Sequence, residues 1–170
     1  DSFGLFGAIS DANLTNITLL NLNISRIATN VGGLAGYANN GSIISHSSVN
    51  GFIKARSNVG GLAGAIFEST IEDSYAVVDV ITGVTGSIYV GGFAGRVAAS
   101  TNITNSYSMG IVNGTNEVGG FVGSLQTSSS IKNSHSNSTV NVTNNVGGFA
   151  CQIISAAGPL TGPLIQDSYA

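Results

Sequence analysis

The sequence carries little charge and no large excess of either sign. Charged residues make up 8 % of its 170 residues and the net charge is −3, whereas globular domains average about 25 % charged residues. The five Lys and Arg residues are scattered along the chain, so the basic stripe through which proteins attract nucleic acid is lacking. We therefore exclude nucleic acid as a partner.

Cysteine, proline and long apolar runs are also scarce. Cys151 is the single cysteine, which excludes an internal disulfide framework and a cysteine metal cluster. The two prolines and the lack of a three-residue glycine period exclude a collagen-like chain. The sequence has no run of 18 or more apolar residues, so we expect no membrane-spanning helix in this segment.

The chain is instead rich in glycine, neutral polar residues and apolar residues. It has 24 glycines and 42 % hydrophobic residues, which is too apolar and too weakly charged for a disordered chain. Most polar positions are Ser, Thr or Asn. A neutral polar surface around an apolar interior is typical of extracellular β-solenoids.

A motif of two glycines, Leu or Phe, Ala or Val, and a further glycine recurs along the chain, with Cys151 replacing the final glycine of the last copy. The first glycines of successive copies, Gly32, Gly60, Gly91, Gly119 and Gly147, are 28, 31, 28 and 28 residues apart. A fixed period of this length indicates stacked repeats. We assign the later glycines of each copy a structural role at corners, through positive φ or close backbone approach. These are Gly33, Gly36, Gly61, Gly64, Gly92, Gly95, Gly120, Gly123 and Gly148.

A second marker, an aliphatic residue, two polar residues, Ser and an aromatic ring, follows the glycine motifs, as in Ile71–Tyr75 and Ile103–Tyr107, and Ile44–Ser48 is a weaker copy without the ring. Short runs rich in Val, Ile and Thr come after it and are typical of strands. We predict an all-β fold, a parallel β-solenoid resembling a right-handed β-helix. It would have about six coils of roughly 28 residues, each with about three short strands.

Stacking such coils superposes equivalent residues at about 4.8 Å. One predicted inward ladder is Leu5, Leu34, Leu62, Phe93, Phe121 and Phe149. A second is Ile44, Ile71, Ile103, Ile131 and Ile165. A polar ladder at a turn would contain Asn16, His46, Asp73, Asn105, Asn133 and Asp167. Val31 and Leu34 are three residues apart, so placing both inside requires a bend or bulge at Gly32-Gly33.

These motifs resemble the GLUG repeat family over nearly the whole chain. The resemblance implies a β-solenoid in an extracellular setting. Members of the family occur in adhesin-like surface proteins and in the non-catalytic regions of immunoglobulin-A-cleaving metalloproteases. The resemblance assigns no catalytic or ligand residue. We expect one repeat domain over residues 1–170, as a segment of a longer chain.

The titratable residues give little support for catalysis. His46 and His135 occupy different repeat positions, and no zinc-protease, phosphate-loop or serine-hydrolase motif is present. Glu72, Asp73 and Asp79 could form a carboxylate pair, but Asn105 and Asn133 interrupt their column. Calcium binding through stacked Asp and Asn turns is favoured over catalysis, although the glycine-and-aspartate nonapeptide of calcium-binding β-rolls is absent. We predict no enzymatic activity, no metal and no cofactor.

Three kinds of surface residue have two readings each. Tyr75, Tyr107 and Tyr169 recur at one position, where they either bind glycans or pack on one another, and we favour packing. Cys151 is either a small filler in an irregular last coil or a thiol for intermolecular pairing. Eight sequons are candidate glycosylation sites in a eukaryotic source and ordinary ladder residues in a bacterial one. They are Asn13, Asn16, Asn23, Asn40, Asn102, Asn113, Asn137 and Asn141.

The sequence therefore predicts a structural or adhesive module of an extracellular or cell-surface protein. One form of this hypothesis makes the module part of a filament. Its expected partners are neighbouring repeats or subunits of the same protein, and host or matrix glycans. One alternative is a glycan-binding module. Another is the accessory stalk of a secreted protease or glycan-active enzyme.

Overall fold

A computed structural model describes residues 1–82, 88–155 and 162–170. These residues form 23 β-strands and no helix. The strands pair only in parallel, each with the equivalent strand one coil away, and so build four sheets that run along the stack. The prediction of an all-β parallel solenoid is confirmed.

The chain passes through the four sheets in the same order in every coil. Sheet 1 contains β1 (Ser2–Phe3), β5 (Asn30–Val31), β9 (Val59–Gly60), β13 (Val90–Gly91), β17 (Val118–Gly119) and β21 (Val146–Gly147). Sheet 2 contains β2 (Phe6–Ser10), β6 (Ala35–Asn39), β10 (Ala63–Phe67), β14 (Ala94–Ala98), β18 (Val122–Gln126) and β22 (Ala150–Ile154).

The third and fourth sheets complete each coil. Sheet 3 contains β3 (Asn13–Thr15), β7 (Ile43–Ser45), β11 (Thr70–Glu72), β15 (Asn102–Thr104), β19 (Ser130–Lys132) and β23 (Leu164–Gln166). Sheet 4 contains β4 (Thr18–Ser25), β8 (Ser48–Ala55), β12 (Tyr75–Thr82), β16 (Tyr107–Gly114) and β20 (His135–Val142). Coils 1 to 5 each hold four strands in the order of sheets 1 to 4, and coil 6 holds β21 to β23.

The prediction of about three strands per coil is therefore wrong by one. The extra strand is the two-residue element that precedes each glycine corner. Val31 and Leu34 are both fully buried although three residues separate them, so the chain turns inward between β5 and β6, as the predicted bend at Gly32-Gly33 requires. The sequence pattern predicts a single strand here, and the corner divides it into two.

The interior is a stack of apolar ladders with no exposure in the central coils. Leu34, Leu62, Phe93 and Phe121 are fully buried, and the Phe93 and Phe121 rings stack with centroids 4.6 Å apart. The isoleucine ladder is likewise buried from coil 2 to coil 5. The ends of the stack differ: Leu5 is 51 % exposed in coil 1, and Phe149 and Ile165 are half-buried in coil 6.

The motif glycines lie where neighbouring backbones approach closely. A Cβ at Gly33 would lie 2.5 Å from Val49 Cγ1 and 2.7 Å from the Gly61 carbonyl oxygen. Among the described glycines, positive φ is found only at three that lie outside the motif, Gly41, Gly51 and Gly110. Close approach, rather than a left-handed backbone, is therefore what these corners require of glycine. Pro159, in the irregular last coil, lies outside the described residues.

Candidate functional site: three ladders at the corner before sheet 4

The corner between sheets 3 and 4 carries three ladders, and its serine ladder holds the backbone in place. In each of coils 2 to 6 a Ser hydroxyl donates to the carbonyl two residues earlier and accepts the amide N–H of the equivalent position one coil before. For Ser106 these bonds are 2.8 Å to the Thr104 oxygen and 3.4 Å from the Ser74 nitrogen. The series is Ser47, Ser74, Ser106, Ser134 and Ser168. The second repeat marker thus has its Ser because this corner buries backbone groups that need partners.

The polar ladder predicted at this corner is confirmed. All six of its residues have φ between 49° and 57°, a left-handed conformation that Asn and Asp tolerate better than most residues. Asn105 Nδ2 donates to Asp73 Oδ1 at 3.0 Å, and Asn133 Nδ2 donates to Asn105 Oδ1 at 3.3 Å. His46 Nε2 lies 3.5 Å from Asp73 Oδ2. The side chains from His46 to Asn133 therefore contact one another from coil to coil.

The tyrosine position forms a continuous aromatic ladder on the surface of sheet 4. Tyr75 stacks on Tyr107 with centroids 4.8 Å apart and an interplanar angle of 3°. His135 continues the stack 5.1 Å from Tyr107 and 5.0 Å from Tyr169. This arrangement supports the packing interpretation, because the inner rings cover one another's faces. Burial, and secondarily the neighbouring Tyr75, raises the pKa of Tyr107 above its ordinary value.

The outer face of sheet 4 combines this ladder with apolar side chains. Met109 and Ile111 are 41 % and 42 % exposed, and Val77 and Ile81 are half-buried beside them. Asp79 lies within this apolar group and accepts a hydrogen bond from the Ile111 amide at 2.8 Å. That bond falls where the pairing of β12 with β16 is interrupted near Gly110. The Asp79 carboxylate thus fills a gap in the sheet.

The carboxylates considered for catalysis do not converge as a pair. Asp73 contacts His46 and Asn105, whereas Asp79 bonds the backbone of the next coil. In the ranges that the structure describes, no group of three or more His, Cys, Asp or Glu side chains could hold a metal ion. Nor does this part of the chain contain a helix able to cross a membrane.

Cys151 is half-buried, and its thiol donates to the Asn145 carbonyl at 3.1 Å. Burial and the nearby Glu117 carboxylate raise its pKa, against a weaker effect of the Val118 backbone. Glu117 Oε1 accepts from Gln152 Nε2 at 2.6 Å. A raised pKa leaves less thiolate at neutral pH, which slows pairing with another thiol. Pairing between molecules remains a prediction.

The candidate sequons lie on sheets 3 and 4 and at their corners. Asn102 and Asn113 are half-buried and the other six asparagines are exposed. Asn102 Oδ1 accepts from Ser130, and Asn113 Oδ1 accepts from Asn141 Nδ2. A glycan on Asn141 would be attached to the nitrogen that donates the second of these bonds. Glycosylation at any of the eight remains a prediction.

One cluster was missed by reasoning from the sequence. The Arg96 guanidinium lies over the Phe67 ring at 5.1 Å and the Tyr89 ring at 5.8 Å, and it donates to Gln126 Oε1 at 2.8 Å. Phe67, Arg96 and Gln126 lie on sheet 2 in three consecutive coils, and Tyr89 directly precedes β13 of sheet 1. Because each repeat position there carries a different residue type, no periodic pattern in the sequence indicates the cluster.

Comparison with known proteins agrees with the repeat architecture. The family model of the GLUG motif matches residues 27–54 and 114–141, and each segment spans one coil. The chain is 29 % identical to an immunoglobulin A1 protease of Streptococcus sanguinis, over 64 % of this chain and 8 % of that protein. The chain therefore spans a small fraction of the relative's length. No solved structure matches.

Proposed function

We propose, from the premise that this chain is built of GLUG repeats, that it serves as a non-enzymatic structural or adhesive module of an extracellular or cell-surface protein. The observation that carries the proposal is the unbroken stacking. Every coil is held to its neighbours by its backbone and its core side chains, and in coils 2 to 6 a corner hydroxyl also bonds the coil before. An array in which successive coils hold one another in this way forms a stiff spacer.

The setting and the partners are part of the same proposal. A surface with few charges and many Ser, Thr and Asn side chains offers few cleavage sites to proteases that need Lys or Arg. The similarity to a protease named for immunoglobulin A1 supports a secreted or surface location. The accessory-stalk version follows from that similarity, since the match covers 8 % of the relative and leaves room for chemistry elsewhere in it.

The filament version rests on the two terminal coils of this polypeptide. Leu5 and Leu20 are 51 % and 71 % exposed in coil 1, and Val146 and Ile153 are 59 % and 57 % exposed in coil 6. Unpaired parallel edges with apolar side chains are templates for further strands. The partners we propose are therefore coils of the same kind, from the same chain or another copy.

Two measurements test the proposal. Sedimentation velocity between about 1 and 200 μM should show association that increases with concentration in the filament version. The variant Ile153→Lys should abolish this association, whereas Lys introduced at exposed Thr139 on the outer face of sheet 4 should leave it unchanged. Incubation with immunoglobulin A1 should leave the antibody intact, and its cleavage by the purified chain would contradict the non-enzymatic role.

A further inference from the structure

The aromatic ladder begins at Tyr75, and the two preceding coils carry small hydroxyl residues in its place. Ser48 and Thr18 are in register with Tyr75 on sheet 4. Among the described residues, Tyr75 stacks on Tyr107, which lies on the side of coil 4. The opposite ring face is therefore directed at a position where a ring of the ladder is missing.

This step of sheet 4, between Thr18 and the Tyr75 ring, is called the ledge and has a polar border. Ser48 in this step is 6 % exposed and its hydroxyl donates to Thr18 Oγ1 at 3.4 Å, whereas Tyr75 is 38 % exposed. Thr18 and Asn50 are exposed on the neighbouring outward positions. His46 and Asp73 come two residues before Ser48 and Tyr75, which places their Cα atoms within about 7.6 Å of the corresponding residues.

We infer that this ledge binds the pyranose ring of a neutral saccharide, stacked on the open face of Tyr75. Rings already in the ladder lie 4.8 to 5.1 Å apart, so a ring of similar size fits the vacant step. The electron-rich face of an aromatic ring attracts the weakly positive C–H groups of a sugar face. The hydroxyl groups of the sugar would meet the polar border.

The charges favour a neutral ligand. Asp73 is the carboxylate nearest the ledge and already accepts from Asn105 and lies beside His46, yet a carboxylate has about four acceptor sites. It can therefore accept from sugar hydroxyls while repelling phosphate and sulfate groups. Lys54 is the one cation on β8, and it lies six residues beyond Ser48. A few polar groups around one apolar surface are what small-ligand sites require.

The inference does not depend on the proposed structural role of the stack. Its test introduces, at Ser48, the ring that the ladder lacks. Ser48→Tyr should complete the ladder, raise the thermal midpoint and occupy the ledge. Binding of methyl β-D-galactopyranoside and of a β-1,4-linked glucose tetramer is measured by saturation-transfer and titration NMR. We expect wild type to bind at least one probe with shifts at Tyr75 and His46, and Ser48→Tyr to bind about tenfold more weakly or worse.

Two further variants keep the result interpretable. His135→Tyr makes the other end of the ladder uniform but leaves the ledge open, so it should bind like wild type. Tyr75→Leu should lose binding while the far-ultraviolet circular dichroism stays that of the wild type. If Ser48→Tyr does not fold, Tyr75→Leu carries the test alone.

Three results would overturn the inference. The first is that wild type binds neither sugar. The second is that Ser48→Tyr, once folded, binds as well as wild type, because the site would then lie elsewhere. The third is that the ledge takes N-acetyltyrosinamide in preference to both sugars, which would identify an aromatic side chain of a protein as its ligand. Failure on any of these grounds would leave the structural role of the stack unaffected.

Discussion

At the scale of single residues, the repeat is fixed by contacts with the equivalent residue one coil away. The corner serines show this most clearly, because each hydroxyl serves one carbonyl in its own coil and one amide in the coil before. Ser74, Ser106 and Ser134 are each 1 % exposed. A buried backbone group that loses its partner costs more than the bond itself contributes, so these positions tolerate little else.

Replacing Ser106 with Ala is expected to lower the free energy of unfolding by about 1 to 3 kcal/mol. The substitution removes the acceptor of the Ser74 amide and the donor to the Thr104 carbonyl. Urea denaturation followed by circular dichroism measures the change. Ser25→Ala on the exposed edge of β4 is the matched control and should change stability by less than about 0.5 kcal/mol. Equal effects of the two substitutions would contradict the role of the ladder.

The motif glycines permit a second comparison at one repeat position. A Cβ at Gly120 would collide with the Gly148 carbonyl oxygen and lie 2.6 Å from Ser136 Oγ, whereas a Cβ at Gly148 would lie 3.4 Å from the Ala170 Cβ. Gly120→Ala should therefore cost about 2 to 4 kcal/mol of unfolding free energy. Gly148→Ala should cost less than about 1 kcal/mol, because a 3.4 Å contact is an ordinary one. Thermal and urea unfolding of both variants check the difference. A loss at Gly148 as large as at Gly120 would contradict close approach as the cause.

At the scale of elements, the long strands of sheet 4 carry the surface aromatic ladder and the apolar group beside it. The rings of the ladder stack one coil on the next. Because folding buries these rings, the pKa of a ring in the ladder can differ between the folded and the unfolded state. Burial raises the pKa of Tyr107 above the ordinary 10.0, with a smaller contribution from Tyr75. The neutral phenol is thus the form that the folded state prefers.

This preference predicts a loss of stability in alkali. A pKa that is raised on folding gives a contribution that is fully present below the unfolded-state pKa and is lost as the pH rises through the folded-state pKa. The unfolding free energy should therefore fall above about pH 10. Urea denaturation between pH 8 and 11.5 measures this fall, with the absorbance of tyrosinate as a second signal. Tyr107→Phe should fall less steeply than wild type, and identical slopes would argue against Tyr107 as the source.

The elements also show what the sequence could predict. The glycine period, the isoleucine ladder and the polar ladder at a turn were all found correctly, because each repeats the same chemistry at a fixed spacing. The left-handed backbone of that turn was not predicted, since positive φ was expected at the motif glycines. The fourth strand was missed, since two residues before a glycine corner are too short to show alternation. The Arg96 cluster and the open face of Tyr75 were also missed, because both arise where neighbouring coils differ.

At the scale of the whole molecule, each coil contacts only its neighbours, so stability is a sum along the stack. Coils 2 to 5 have neighbours on both sides, and their inward residues Leu34, Leu62, Phe93 and Phe121 are fully buried. Coils 1 and 6 have one neighbour each. Their inward residues Leu5 and Phe149 are exposed and half-buried, respectively. Local opening is therefore expected to begin at the ends of the stack.

Native-state hydrogen exchange should reveal this gradient. Amides of β10, β14 and β18 are expected to exchange at least about a hundredfold more slowly than those of β2 and β22, because opening the centre breaks two coil interfaces and opening an end breaks one. Mass spectrometry of peptides from each coil resolves the six rates. The variant Phe121→Ala should speed exchange in coils 4 to 6 more than in coil 1, since its ring stacks on Phe93 and Phe149. Uniform protection from coil 1 to coil 6, in wild type and variant alike, would mean instead that the stack opens as one cooperative unit.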